Sequence, residues 1–180
     1  RAIHPDISLM PNGMPVVVWQ EISANNPMDV MAQRVGMDMI PVNLSRAGKT
    51  IAAATSADSR SAKYPASVWP SVAVDSSGNI VVAFQDNRTD PDPLWTGQTG
   101  TGDSTDVDNW QIVTRRRLVG AATWGELVSI GENIRAERHP SVAVSQTGQW
   151  VVAFDSKTLD AAGANLSVQA AISTDNGANF

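Results

Sequence analysis

Between Asn87 and Asn109 the carboxylates Asp103, Asp106 and Asp108 lie close together in sequence, with Trp95 upstream of them. Grouped carboxylate oxygens are what a hard cation such as Ca²⁺ takes, several at a time. The spacing is not that of an EF-hand, so plain solvation of a polar loop is the competing account. The indole of Trp95 offers a flat apolar face for a sugar ring, or an anchor that holds its own loop. Trp95 and Asp108 are therefore candidates for a ligand-binding loop, because connections of this length in a compact domain often carry function. His4 and His139 each stand directly before a proline. Imidazoles can ligate metal, but two ligands do not define a site, and packing at a strand start is the simpler role. No metal is assigned, and no cofactor beyond the Ca²⁺ that the loop carboxylates could hold.

The composition removes several other chemistries. The 180-residue chain has no cysteine, which excludes disulfides, zinc–thiolate sites and thiol nucleophiles. Its formal net charge of −5 argues against a nucleic-acid partner, which selects a basic face. The basic run Arg115-Arg116-Arg117 is too short to supply one. No apolar stretch is long enough for a membrane-spanning helix. The only tyrosine, Tyr64, sits in the linker SAKYPAS, where packing on Pro65 is its natural role. The chain opens at Arg1 rather than Met, which reads as the cut end of a longer or processed product.

The elements that must position these residues come from a repeat. His4–Glu21, Trp69–Asp86 and His139–Ser156 align without a gap, and the second and third copies share ten of eighteen residues. Pro5, Pro70 and Pro140 correspond, as do Gly13, Gly78 and Gly148, and then Trp19, Phe84 and Phe154. Each copy reads as a β-hairpin with glycine at its tip. The second strand of each, as in IVVAF from Ile80 to Phe84, is apolar enough to be buried on both faces. Third strands are expected at Asp29–Val35, Trp110–Leu118 and Asn165–Ser173. Fourth strands are expected near Thr50–Thr55 and Glu126–Ile130.

Four antiparallel strands repeating every 65 to 70 residues predict an all-β chain, a partial β-propeller of about three blades. A β-sandwich is the alternative. The blades divide as 1–60, 61–133 and 134–180, the last one incomplete, within one structural domain. One blade cannot bury both of its faces, so the ring is expected to close with a second copy or with the remainder of the polypeptide.

The final residues Ser173-Thr174-Asp175-Asn176-Gly177-Ala178-Asn179-Phe180 resemble the Asp-box, or BNR repeat, of the sialidase (neuraminidase) propeller family. In that motif Ser173 and Asp175 would bond the backbone of a tight turn, Gly177 would take a conformation closed to other residues, and Phe180 would pack beneath. The second blade is similar to the opening blade of sialidases through Pro70-Ser71-Val72, Gly78, Val82-Ala83-Phe84, Arg88, Gln111 to Arg116 and Thr123-Trp124. The pattern is degenerate. Trp69 stands where the family places the first arginine of its carboxylate-binding triad, and Arg117, Val119 and Ala121 replace the Asp-box residues. The same segments resemble secreted bacterial repeats of the form W-Q-D-N-R followed by D-I-Y-A-Q-R.

The resemblance implies a carbohydrate ligand and an extracellular or periplasmic location. It implies catalytic contributions from Arg88 and Arg138, which would grip a carboxylate, and from a loop acid, Asp103 or Asp106. An ion pair with Asp86 or Asp90 is the alternative for Arg88, and a solvated strand start for Arg138. The family's tyrosine nucleophile comes from a later blade. Glycan recognition or a scaffold with an incomplete catalytic set is the leading expectation. An exo-acting glycoside hydrolase completed by other sequence is the alternative, and a structural repeat module of a secreted bacterial protein is the third reading.

Overall fold

The structure is a computed structural model that describes residues 1–23, 26–46, 67–86, 110–130, 136–160 and 163–180. All of its regular elements are strands. The first sheet runs β1 (Ala2–Leu9), β2 (Pro15–Ser23), β3 (Asn26–Arg34) and β4 (Val42–Asn43) in sequence order. The second repeats that order with β5 (Ser67–Val74), β6 (Ile80–Asp86), β7 (Gln111–Arg117) and β8 (Leu127–Ile130). The third holds β9 (Ala136–Val144), β10 (Trp150–Asp160) and β11 (Gly163–Ser173). Every pairing is antiparallel.

The three repeat hairpins close with the same turn. The N–H of Gly13, Gly78 and Gly148 donates to the carbonyl of Met10, Asp75 and Ser145 respectively. Each of these glycines has φ between 80° and 92°. That is a three-residue loop whose last position must be left-handed, which is why glycine recurs there. In the second copy the Asp75 carboxylate also accepts from the N–H groups of Ser77 and Asn79, at 2.9 and 2.8 Å.

The sheets stack face to face, with the second between the other two. Ile80, Val82 and Phe84 of β6 pack toward the first sheet, against Val16, Val18, Val30 and Leu44. Val81 and Ala83, on the opposite face of the same strand, pack toward Val142, Trp150, Val152 and Phe154 of the third sheet. All seven residues of β6 are buried. β2 and β10 alternate instead, with Val16 and Val18 buried, and Trp150, Val152 and Phe154 buried, while their neighbours are more open. The expectation of burial on both faces therefore holds for the middle blade. In the outer two, the same kind of sequence covers only one face. Each large apolar side chain enclosed in this way contributes about 1.5–3 kcal/mol.

Polar bonds lace one blade to the next. Asp6, Ser71 and Ser141 are the residues after the repeat proline. The Asp6 carboxylate accepts from Val72 N–H at 2.9 Å, and the Ser71 hydroxyl accepts from Val142 N–H at 3.2 Å. Arg115 adds a 2.8 Å bond to the Leu44 carbonyl. β1, β5 and β9 meet side by side along the inner edge of the stack. First strands that pack against first strands and a sequential strand order are the arrangement of successive propeller blades. The sheets described here do not close a ring.

The fourth strand of the first sheet is Val42–Asn43. The slot assigned to residues 50–55 is thus filled earlier in the chain, and residues 50–55 themselves lie outside those described. The fourth strand of the second sheet is where the sequence places it.

Candidate functional site

The residue before the repeat proline is left-handed in all three blades: His4, Trp69 and His139 have φ of 48°, 54° and 50°. The strand register shifts at the same place, between Ile3 and Asp6, between Val68 and Ser71, and opposite Ala153 and Asp155. Proline has no N–H for the ladder, so a bulge there sacrifices little pairing. A bulge re-aims the side chain it carries. A left-handed non-glycine residue costs about 1–3 kcal/mol and persists where surrounding structure enforces it, often at functional sites.

The three re-aimed rings converge. The His4 and Trp69 rings are stacked with centroids 3.8 Å apart, and Trp69 meets His139 edge-on at 5.2 Å. Each histidine is held on its own blade. His4 Nδ1 lies 3.0 Å from the Gln20 amide oxygen, and His139 Nδ1 lies 2.9 Å from the Asp155 carboxylate. Gln20, Gln85 and Asp155 are equivalent positions, directly after Trp19, Phe84 and Phe154. Gln85 serves the next blade, accepting from His139 N–H at 2.8 Å. The Trp69 indole lies between the two imidazoles, which turn their Nδ1 atoms to separate partners rather than to a shared ion. Among the described residues no group of three or more His, Asp or Glu side chains is arranged to hold a metal.

This ladder forms one wall of a cavity of about 390 Å³. Trp110, Met28, Val68 and Ile22 also line it. Gln20, Gln85 and Arg138 supply the polar edge. Trp69 is 41% exposed. Aromatic faces with a few planar hydrogen-bonding groups suit a ligand that is apolar on one side and polar at its rim. Among the described lining residues Arg138 is the only permanently charged side chain, and none is a carboxylate. An acid–nucleophile pair is therefore not found among them.

Arg138 is thus brought to the cavity beside His139. Arg88, Trp95, Asp103, Asp106 and Asp108 lie outside the described residues, as does Tyr64. The segment that carries the first five starts after Asp86, the last residue of β6, and ends before Trp110 on the cavity wall.

The residues that resemble the Asp-box, Ser173 to Phe180, stand at the other end, at the close of β11 and beyond it. The Ser173 hydroxyl donates to Asp175 Oδ1 at 2.7 Å and accepts from Gly177 N–H at 3.0 Å. The Asp175 carboxylate also accepts from the N–H groups of Ala178 and Asn179, both at 3.0 Å, and from the Asn179 amide at 2.7 Å. The Ser173 hydroxyl first, and then the Asn179 amide and backbone donors, hold this carboxyl well below the usual range. Phe180 packs onto the cluster between the second and third sheets. Arg116 reaches across to the carbonyls of Asp175 and Asn176, at 3.3 and 3.4 Å. The turn ties the third blade to the second and faces away from the cavity.

Trp69, Trp110, Gln20 and Gln85 were not identified as site residues from sequence. The signal for three of them is positional: Trp69 shares a repeat position with His4 and His139, and the two glutamines share one with Asp155.

No protein-family model matches the chain, and a search of curated proteins finds no relative. Solved structures do match in shape. One is described as a polysaccharide lyase, ulvan lyase, bound to -[GlcA(1-4)Rha3S]-; it superposes with a TM-score of 0.56 at 12% identity over 98% of this chain. Another is a protein of unknown function from Dyadobacter fermentans, with a TM-score of 0.51 and 12% identity over 99% of this chain. The chain spans 41% and 52% of the length of those two neighbours. At that identity the likeness concerns the fold. Together with the stacked sheets it places the chain in the all-β class, as a partial β-propeller of antiparallel blades. No helix among the described residues is long and apolar enough to cross a membrane.

Proposed function

We propose that the cavity at the inner-strand end binds a carbohydrate, and that recognition rather than bond cleavage is what this chain contributes. The observation that carries the reading is the convergence of His4, Trp69 and His139, one from each blade, on a single cavity also lined by Trp110 and Arg138. Three strained backbone positions are maintained to present those rings. A sugar ring laid on Trp69 or Trp110 would cover apolar surface. The amides of Gln20 and Gln85 and the guanidinium of Arg138 would meet its hydroxyl or carboxylate groups. The saccharide bound by the ulvan lyase is consistent with this class of ligand on the same fold. An extracellular or periplasmic setting fits such a ligand.

A second reading rests on Arg138. It stands two residues before Pro140, as the arginine of the sialidase R-I-P pattern does, and it lines the cavity. An exo-acting, sialidase-type hydrolase would then draw its acid and nucleophile from residues outside those described, or from another chain.

The two readings separate in one experiment. Wild type and Trp69→Ala are applied to a glycan array, and both are assayed on a fluorogenic sialoside. Binding by wild type that drops about tenfold or more in the variant, the equivalent of about 1.4 kcal/mol, without sialoside turnover, supports recognition. Turnover supports the hydrolase. Equal binding by the two proteins overturns the assignment of the cavity.

A further inference from the structure

The lacing between blades has two unmatched halves. Asp6 accepts from Val72 N–H and Ser71 accepts from Val142 N–H, each bond running from one repeat to the next. Ser141 is the third member of that series, and its exposed hydroxyl has no partner among the described residues. Ile7 N–H is the first member of the donor series, equivalent to Val72 and Val142, and it turns back to its own Asp6 carboxylate at 2.9 Å. One end of the stack thus presents the acceptor of an inter-blade bond, and the other end presents the donor.

The apolar surface is divided in the same way. Ile7 and Leu9 on the open face of β1 are 60% and 63% exposed. Leu166, Val168 and Ile172 on β11 are 77%, 78% and 54% exposed. Val168 stands opposite Asp155 and Ile172 opposite Val151, so these side chains continue one face of the third sheet. The equivalent faces inside the stack are covered by a neighbouring sheet.

We infer that the open face of the third sheet docks the open face of the first sheet of a second copy of this chain, head to tail. Ser141 Oγ then accepts from Ile7 N–H of the copy, repeating the bond that joins the blades within one chain. The surface is continuous with two established interfaces of the same kind, and this fixes the occupant as a blade with the same repeat geometry. A head-to-tail contact uses two different patches, so two copies close a ring if the per-blade rotation permits, and otherwise they extend.

The test is the mass of the full 180-residue chain in solution at tens of micromolar, by light scattering. The inference predicts about 38 kDa, twice the 19.1 kDa of one chain, or a larger multiple. Ile7→Asp with Leu9→Asp blocks one patch, and Val168→Asp with Ile172→Asp blocks the other. These positions are exposed, and far-UV circular dichroism checks that each variant keeps its strands. Each variant alone is expected to be monomeric, while an equimolar mixture recovers a dimer through its one intact pair of faces. A monomeric wild type overturns the inference. So does a dimer that survives either variant alone, or a mixture that stays monomeric.

Discussion

Replacing Gly177 by alanine separates the contact between blades from the conformational demand of the turn. Gly177 has φ of 73°, and a Cβ built there would sit 2.7 Å from Val81 Cγ2 on β6 of the second sheet. Gly148, at the tip of the β9–β10 hairpin, has nearly the same φ, 80°, but a Cβ there would meet nothing within 4 Å. Both substitutions incur the left-handed cost of a side chain, about 1–2 kcal/mol. Only Gly177→Ala also forces Val81 or the turn to move, and overpacking of this kind costs about 1–3 kcal/mol. The two variants should therefore differ by about 1–3 kcal/mol in unfolding free energy, with Gly177→Ala the weaker. Urea denaturation followed by tryptophan fluorescence measures both, with midpoints compared at constant m. Adding Val81→Ala to Gly177→Ala should show favourable coupling, because the smaller side chain makes room. Equal destabilisation by the two glycine substitutions, or additivity with Val81→Ala, would refute the packing of the turn from Ser173 to Phe180 on the middle blade.

Two further outcomes follow from the same geometry. At position 139, with φ of 50°, His139→Gly should be more stable than His139→Ala by about 1 kcal/mol, since both lose the ring and only alanine keeps the left-handed cost; thermal unfolding of the pair measures it. The Asp175 carboxyl, depressed by its hydroxyl and amide donors, contributes stability that is complete above the unfolded value near pH 4 and is lost as pH falls through the folded value. Asp38 acts in the same direction through its hydrogen bonds from Arg34. Asp175→Asn should accordingly lose less melting temperature between about pH 5 and pH 2 than wild type does, as calorimetry across that interval would show.

The hairpins were legible because each carries its own instructions: alternating Val72 and Val74, a glycine at the tip, and a β-branched run after it. β4 was not, because a strand of two residues, Val42–Asn43, has no period to read. The three second strands look alike in sequence, and only β6 is buried on both faces. That difference arises from its place in the stack, which no local pattern encodes. The site was half legible. The histidines before proline stood out as equivalent positions, but Trp69 registered only as a departure from an expected arginine. Its role as the middle rung depends on the distance between neighbouring bulges, a tertiary quantity. Gln20 and Gln85 were hidden for the same reason: an amide after an aromatic residue acquires meaning only when a ring or an N–H from the next repeat reaches it.

The proposed saccharide site lies where the three first strands meet. A co-crystal structure with the strongest array ligand tests it most directly. The prediction is sugar density in the cavity, lying on the face of Trp69 or Trp110 with polar contacts to Arg138 or Gln85. Sugar density at the turn from Ser173 to Phe180, or on the outer faces of the sheets with the cavity left to water, would contradict it.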